Sequence, residues 1–313
     1  MNLNHLDFGA ELYKNWDKKL TLQSEYYQLN KRYGIDQYKK ELPICITATG
    51  RNLLRNDMLG KFLRSVEHQN YTNYRLFITD DASTDGTYEK LRESIKDYPR
   101  LRTRTTLIRN EKNIGALGNK VLNVFTMCEK GGIVFDLDAD DAMIGRQVMK
   151  LFNALYQQSD KWFIYSNHAS HSKDSKVVRG LCRSIDQQLL AHNSYRTAPN
   201  SRWRTSQLRT FLTDLYTKVP MDYFLEKEGK FYFESYDRFE LYPIVELSGS
   251  SHIQFIPDIL YWYETGGEKS ECYAAQIFYH EYMARTTTPL LPLKSLEDEP
   301  RVTPDYEPPK VIA

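Results

Sequence analysis

Between residues 42 and 166, short apolar runs alternate with longer segments whose apolar residues recur at helical spacing. The runs are Ile44-Cys45-Ile46, Leu76-Phe77-Ile78, Thr106-Leu107-Ile108, Ile133-Val134-Phe135 and Phe163-Ile164-Tyr165. Between them lie Met58, Phe62, Leu63 and Val66, then Tyr88, Leu91 and Ile95, then Ile114, Leu117, Val121 and Val124, and a stripe from Val148 to Leu155. A short apolar run bounded by turn formers reads as a buried strand, and the wider spacing reads as an amphipathic helix. Repetition of the pair predicts a mostly parallel sheet covered on both faces. Few other architectures satisfy that pattern.

The flanks read differently. Residues 1–41 are polar and aromatic, with Tyr13, Trp16, Leu20, Tyr26 and Tyr27, and suggest one or two helices packed outside the domain. Residues 167–210 are polar and basic, which predicts long loops, and 211–262 regain regular structure. The last 25 residues hold six of the twelve prolines. They predict an extended tail that wraps the domain or stays mobile.

The chemistry concentrates after the fourth run. Asp136, Asp138, Asp140 and Asp141 fall within six residues where that strand should leave the sheet. Such crowding is repulsive unless a cation sits among the carboxylates, and oxygen-only ligands suit Mg2+ or Mn2+. A solvated acidic turn and helix capping by Asp140 or Asp141 are the plain alternatives. A calcium loop of the helix–loop–helix type is excluded: its sixth position needs Gly and holds Asp141, and its twelfth needs Glu and holds Gln147.

Composition narrows the partners. The net charge of +1 over 313 residues creates no global field for nucleic acid or a membrane surface. Cys45, Cys128, Cys182 and Cys272 form no C-x-x-C pair, which argues against zinc and offers no disulfide framework. A reducing compartment, the cytoplasm, is the simpler expectation. Met1 to Asp7 lack the features of a secretory leader. No stretch approaches the ~18 apolar residues of a membrane span.

In open α/β sheets, ligands bind beyond the carboxyl ends of the strands. Three polar clusters sit at such places: Thr47 to Asn52, Asp80 to Thr87, and the acidic run. Within the second, Ser83, Thr84 and Asp85 read as helix caps. Asp80 and Asp81 are adjacent carboxylates with no structural need of each other.

The order Leu42-Pro43-Ile44-Cys45-Ile46-Thr47-Ala48, then Asp80-Asp81-Ala82-Ser83-Thr84-Asp85-Gly86-Thr87, then Asn113-Ile114-Gly115, then Asp138-Ala139-Asp140-Asp141 resembles the nucleotide-sugar half of the inverting glycosyltransferases of family 2, with the GT-A fold. The resemblance is strong over 42–145 and weaker over 230–265. It implies a Rossmann-like α/β single domain with a mostly parallel central sheet, a helical extension over 1–41 and an extended Pro-rich tail. Residues 42–145 would form the nucleotide-sugar half, 146–270 the acceptor and catalytic half, and 271–313 a C-terminal helix and tail.

The resemblance also implies roles. Thr47, Ala48 and Thr49, with Asp80 or Asp81, would hold the base, usually uracil, since a carboxylate accepts from the imide N–H. Asn113, Gly115 and Ala139 complete the donor set. Asp138 would approach the ribose and the metal, and Asp140 would ligate Mn2+ or Mg2+. Asp136 precedes the usual motif and reads as a supporting residue. Glu234-Ser235-Tyr236-Asp237 resembles the family segment in which an acidic pair opens a helix, and Asp237 matches the catalytic base. Tyr236 replaces its acidic neighbour, with Glu234 a substitute, and capping is the plain alternative for Asp237.

The departures are specific. A basic residue is usual ahead of the Asn in the helix after Gly115; Leu117-Gly118-Asn119 stands there, with Lys120 a substitute. Tyr261-Trp262-Tyr263 is usually followed by Arg and His, but Glu264-Thr265-Gly266-Gly267 follows here. His280 is a remote ligand candidate, and a lone His is more often structural. Arg196, Arg202, Arg204 and Arg209 around Trp203 suit an anionic or ring-bearing acceptor, but a solvated loop is the favoured reading. The expected activity is metal-dependent inverting transfer from a nucleoside-diphosphate sugar, a UDP-sugar foremost. The acceptor is unidentified; a glycan leads and a nucleic acid stays open. A non-catalytic nucleotide-sugar binder is the alternative, and a sugar nucleotidyltransferase a weaker one.

Overall fold

The computed structural model describes residues 19–54, 58–171, 177–180, 182–199, 203–265 and 274–306. Arg202, Cys272, Pro308, Pro309 and the residues before Lys19 lie outside them. The elements run α1 (Lys19–Tyr33), β1 (Ile44–Gly50), α2 (Met58–Glu67), β2 (Tyr74–Asp80), α3 (Thr87–Ser94), α4 (Leu101–Arg104), β3 (Thr105–Arg109), α5 (Gly115–Met127), β4 (Ile133–Asp138), β5 (Ala142–Met143), α6 (Val148–Gln158), β6 (Phe163–His171), β7 (Val177–Arg179), α7 (Gln187–Ala191), β8 (Arg209–Leu212), α8 (Thr213–Tyr216), α9 (Tyr236–Ser248), β9 (Ile253–Tyr263) and α10 (Ala274–Thr286).

One sheet carries them in the order β3-β2-β1-β4-β8-β6-β9-β5, with β7 pairing the far end of β6. β3, β2, β1 and β4 are parallel. β8 enters antiparallel between β4 and β6, and β9 then runs parallel to β6. Alternate side chains feed two cores. Ile44, Ile46, Phe135, Leu137 and Ile164 pack with Leu29, Phe62, Leu63 and Phe152 on one face. Val134, Phe163 and Tyr165 pack with Leu117, Val121, Val124, Leu241 and Ile244 on the other. Burial on both faces is why these strands read as unbroken apolar runs.

Register sets the rim. Gly50 pairs with Asp80, Asp80 with Arg109, and Thr49 with Asp138. The carboxyl ends of four parallel strands therefore share one edge, where the polar clusters were expected.

Helix α1 is tied to the start of α6 and to β9. Its buried Glu25 accepts the Arg146 and Gln147 N–H groups at 2.9 and 3.1 Å, serving the start of α6. Arg32 pairs with Asp258 on β9 at 2.5 Å. The tail after α10 folds back on α9, where Leu293 N–H donates to the Leu247 carbonyl at 3.0 Å. No helix among the described residues is long and apolar enough to cross a membrane.

Three expectations need correction. Cys45 and Cys128 form a disulfide that joins β1 to the end of α5; they lie 83 residues apart and meet only because α5 packs back along β1. Residues 167–210 are not simply loops, since β6 continues to His171 and β7 and α7 follow. Their polar sequence hid this because hydrogen bonding to β9 organises β6 there. The arginine-rich segment is not a solvated loop either. Arg196 and Arg209 are each 1% exposed, because carboxylates from α9 and β4 meet them inside: Arg196 forms a two-bond pair with Glu246 at 2.6 and 2.8 Å, and Arg209 meets Asp136 at 2.8 Å.

Candidate active site

At the β1–β2 end of the rim, the Thr47 and Thr49 hydroxyls and Asp80 Oδ1 are buried and have no hydrogen-bond partner among the described residues. Buried polar atoms are ordinarily satisfied, so a ligand that donates and accepts here has ready partners. The adjacent aspartates divide the work. Asp80 uses only its second oxygen, for Ser83 N–H at 3.4 Å. Asp81 is fully engaged: it accepts from Asn110 Nδ2 at 2.8 Å, Ile114 N–H at 3.0 Å and Gly115 N–H at 2.9 Å. It thereby serves the orphan donors that open α5.

Gly115 has φ of +80°, and a Cβ there would come within 2.9 Å of Phe233, so glycine is required. Asn113 is exposed, and its side-chain oxygen also accepts from Gly115 N–H. Ala48 and Ala139 lie in the apolar core beneath the rim, and Ala139 N–H donates to the Thr49 carbonyl at 3.0 Å. None of Ser83, Thr84 and Asp85 is the cap that was expected: Gly86 occupies the N-cap position without a side-chain bond, and Asp85, one residue earlier, accepts Thr87 N–H at 2.9 Å.

The acidic turn follows β4. Asp138 is held from two sides: Gln207 Nε2 donates to Oδ2 at 2.9 Å, and Lys120 Nζ lies 3.5 Å from Oδ1. Asp141 is buried, and its Oδ1 accepts Glu264 N–H at 2.7 Å, pinning the end of β9. Burial, then Asp140 and Asp138, push its carboxyl well up. The Asp140 carboxylate is served by its own backbone N–H and meets no other described residue in a hydrogen bond or ion pair. Burial, then Asp138 and Glu264, push it up to about 7. A cation beside it would relieve all three causes. Among the described residues no three His, Cys, Asp or Glu side chains converge as a complete cage. The residues present fit a hard ion that would take one or two protein carboxylates.

Behind this turn lies a buried charge cluster. Asp136 meets Lys120 at 2.6 Å and Arg209 at 2.8 Å. Arg209 lies 3.8 Å from Glu240, whose other oxygen accepts from Tyr216 at 3.1 Å. Burial would lower the Lys120 ammonium, but Asp136 and Asp138 outweigh it and hold the charge. Burial would likewise raise Asp136, but Arg209 and Lys120 hold it below the usual carboxylate range.

Asp237 stands in the first turn of α9, whose preceding residue, Ser235, has φ of 51° and supplies no capping bond. Its half-buried carboxyl shares an environment with the acidic turn. The Tyr263 hydroxyl is pushed up to about 12 by burial first, and then by Asp141, Asp138, Asp140 and Asp237 together.

His280 makes its polar contacts with Glu226 and Glu234, its Nε2 lying 3.4 Å from Glu226 Oε1. It is buried against Tyr232 and Phe239, and its Nδ1 accepts Glu234 N–H at 3.2 Å. Glu264 pairs with Lys61 at 3.3 Å; Gly266 and Gly267 lie outside the described residues. Sequence reasoning gave Gln207 and Glu240 no role, and neither carried a local signal. It named Arg209 as a loop or acceptor-facing cation, not as the partner of Asp136, and Tyr261 only within its aromatic run, whereas the Tyr261 hydroxyl accepts Asp138 N–H at 3.1 Å.

A parallel half-sheet presenting a carboxylate turn and an unsatisfied Asp80 at one rim, completed by antiparallel strands, is the architecture of a GT-A glycosyltransferase. Residues 44–209, more than half of the chain, match the family model described as glycosyl transferase family 2, and the chain belongs to that family. TarS from S. aureus has a similar structure, with TM-score 0.56 and 14% identity over 78% of this chain and 39% of TarS. TarS 1–349 in complex with UDP-GlcNAc gives 0.55 and 14%, over 78% of this chain and 66% of that one. GalNAc-T7 with UDP, GalNAc and Mn2+ gives 0.52 and 13%, over 78% and 48%. The chain thus spans about two fifths of the length of TarS. No curated protein matches it.

Proposed function

We propose that this protein transfers a sugar, with inversion, from a nucleoside-diphosphate sugar to an acceptor hydroxyl. The observation that carries the reading is two incompletely satisfied carboxylates on one rim: Asp80 Oδ1, and Asp140, which is served only by its own backbone N–H among the described residues. Asp80, with Thr47 and Thr49, receives the base. Its acceptor oxygen favours uracil's imide N–H, so the donor is a UDP-sugar. UDP-GlcNAc and UDP in complexes of similar structures support that choice. Asn113 and Gly115 line the same end, and Ala48 and Ala139 supply its backbone floor. Asp138 faces the ribose, and with Asp140 it would hold Mn2+ or Mg2+. Manganese in the GalNAc-T7 complex supports a divalent ion. Held there, it would supply neutralisation of the charge growing on the departing diphosphate.

Asp237 accepts the proton of the attacking hydroxyl as that oxygen bonds to the anomeric carbon on the face opposite the diphosphate. Residues 42–145 take the donor and 146–270 the acceptor, with a glycan as the leading acceptor class. A cytoplasmic location belongs to the same proposal. There the Cys45–Cys128 bond would face reduction, and thiol counting on protein isolated without reductant tests the location.

A panel of sugar nucleotides with Mn2+, read by nucleoside-diphosphate release, tests the function. Release from a UDP-sugar, lost in Asp140→Asn and Asp237→Asn with the fold intact, is the expected result. Binding of UDP without any turnover, with or without acceptors, would leave only the non-catalytic binder.

A further inference from the structure

The buried charges behind the acidic turn reach further than a metal site requires. Lys120 comes from α5 and Arg209 from β8, and both grip Asp136 on β4. Each also touches α9. Lys120 Nζ lies 5.1 Å from the centre of the Tyr236 ring, and Arg209 lies 3.8 Å from Glu240. Tyr236 and Glu240 stand on either side of Asp237 in the opening turns of that helix. Tyr216 steadies Glu240 from α8. The helix itself starts without a side-chain cap, after a residue in the left-handed region, so these tertiary contacts fix its start in place of an N-cap bond.

Lys120, Asp136, Arg209 and Glu240 are each 0–1% exposed. An apolar cluster of the same volume would ordinarily stabilise a fold at least as well. Stability is therefore a poor account of them. What they have in common is placement: they join the strand that ends in Asp138 to the helix that begins beside Asp237.

We propose that Arg209 and Glu240, acting through Asp136, are positioning residues that set the separation between the acidic turn and Asp237, and with it the aim of the acceptor hydroxyl at the donor. This rests on the reading of Asp237 as the base. Neither residue touches substrate in that reading, and the Asp80 end of the rim lies outside the bridge.

The test compares wild type, Arg209→Lys, Glu240→Gln and the double variant at about pH 8, where carboxylates ordinarily carry their charge. Transfer kinetics, calorimetric affinity for UDP with Mn2+, and Tm are measured on each. The expected result is a fall in kcat of at least about tenfold in either single variant, no further fall in the double variant, and UDP affinity within about threefold of wild type. Glu240→Gln is expected to lose activity without losing Tm, a combination that a purely structural role does not produce. Wild-type kcat in folded variants, a kcat that simply follows Tm, or a parallel loss of UDP affinity would each overturn the bridge. A wild-type protein that releases no nucleoside diphosphate from any donor would instead remove the glycosyltransferase reading, and the bridge with it.

Discussion

The Gln207 side-chain amide donates to Asp138 Oδ2 at 2.9 Å, across a sequence separation of 69 residues. With Lys120 at 3.5 Å on the other oxygen, Asp138 is oriented before any ligand arrives. A preset carboxylate loses less freedom on binding than a mobile one. Gln207→Ala should lower kcat/KM by roughly ten- to a hundredfold, the worth of a hydrogen bond to a charged group at ~1.5–3 kcal/mol. Steady-state kinetics at saturating Mn2+ would check this, and an unchanged kcat/KM would show that Lys120 alone suffices.

Asp80 and Asp81 should separate cleanly. Asp81 receives two backbone N–H groups and the Asn110 amide. Asp81→Ala leaves those donors unsatisfied and should cost about 1–3 kcal/mol of stability, read as a lower urea midpoint. Asp80→Ala removes one oxygen with no partner among the described residues and one that accepts only a long bond from Ser83 N–H at 3.4 Å. It should leave the midpoint nearly unchanged and raise KM for the donor at least about tenfold, or ~1.4 kcal/mol.

Metal dependence should run through Asp140. Burial, Asp138 and Glu264 raise its carboxyl, and a bound cation would offset them. Chelation should stop transfer, and Mn2+ should restore it. Asp140→Asn should weaken Mn2+ binding by at least about tenfold, ~1.4 kcal/mol, measured by calorimetry in the presence of UDP. Full activity in the chelated enzyme would refute a role for the ion.

Glu240 makes stability depend on pH. Burial first, and then Asp136, push its carboxyl up to about 7, against 4.5 for the free group. The folded chain therefore keeps a proton that the unfolded chain releases. The stability associated with that proton is full below 4.5 and is lost as pH rises through about 7. Glu240→Gln cannot ionise, so its Tm relative to wild type should rise between about pH 5 and pH 8. Parallel Tm curves across that window would contradict the assignment.

Much of this protein could be read along the chain. The strands at Ile44, Leu76, Ile133 and Phe163 were legible because a strand buried on both faces must be apolar throughout, whatever its neighbours are; the strand at Thr106, a half-buried edge strand, was legible from its place in the alternation. The rim clusters were legible for a similar reason: parallel strands all end at one edge, so polar residues after successive strands converge there. β8 was not legible as part of the sheet, because Arg209-Thr210-Phe211-Leu212 is short and begins with a cation.

The sequence by itself determined the parallel half-sheet, its carboxylate rim and the residue types available there, since these follow from local periodicity and chain order. Only the tertiary structure decided which of two neighbouring aspartates is committed to the backbone, that Cys45 meets Cys128, and that Arg209 faces Asp136 across a strand pair 73 residues apart in sequence. Such pairings depend on register and on packing between distant segments. No local spacing encodes them, and charged side chains can be buried there only because a partner arrives from elsewhere in the chain.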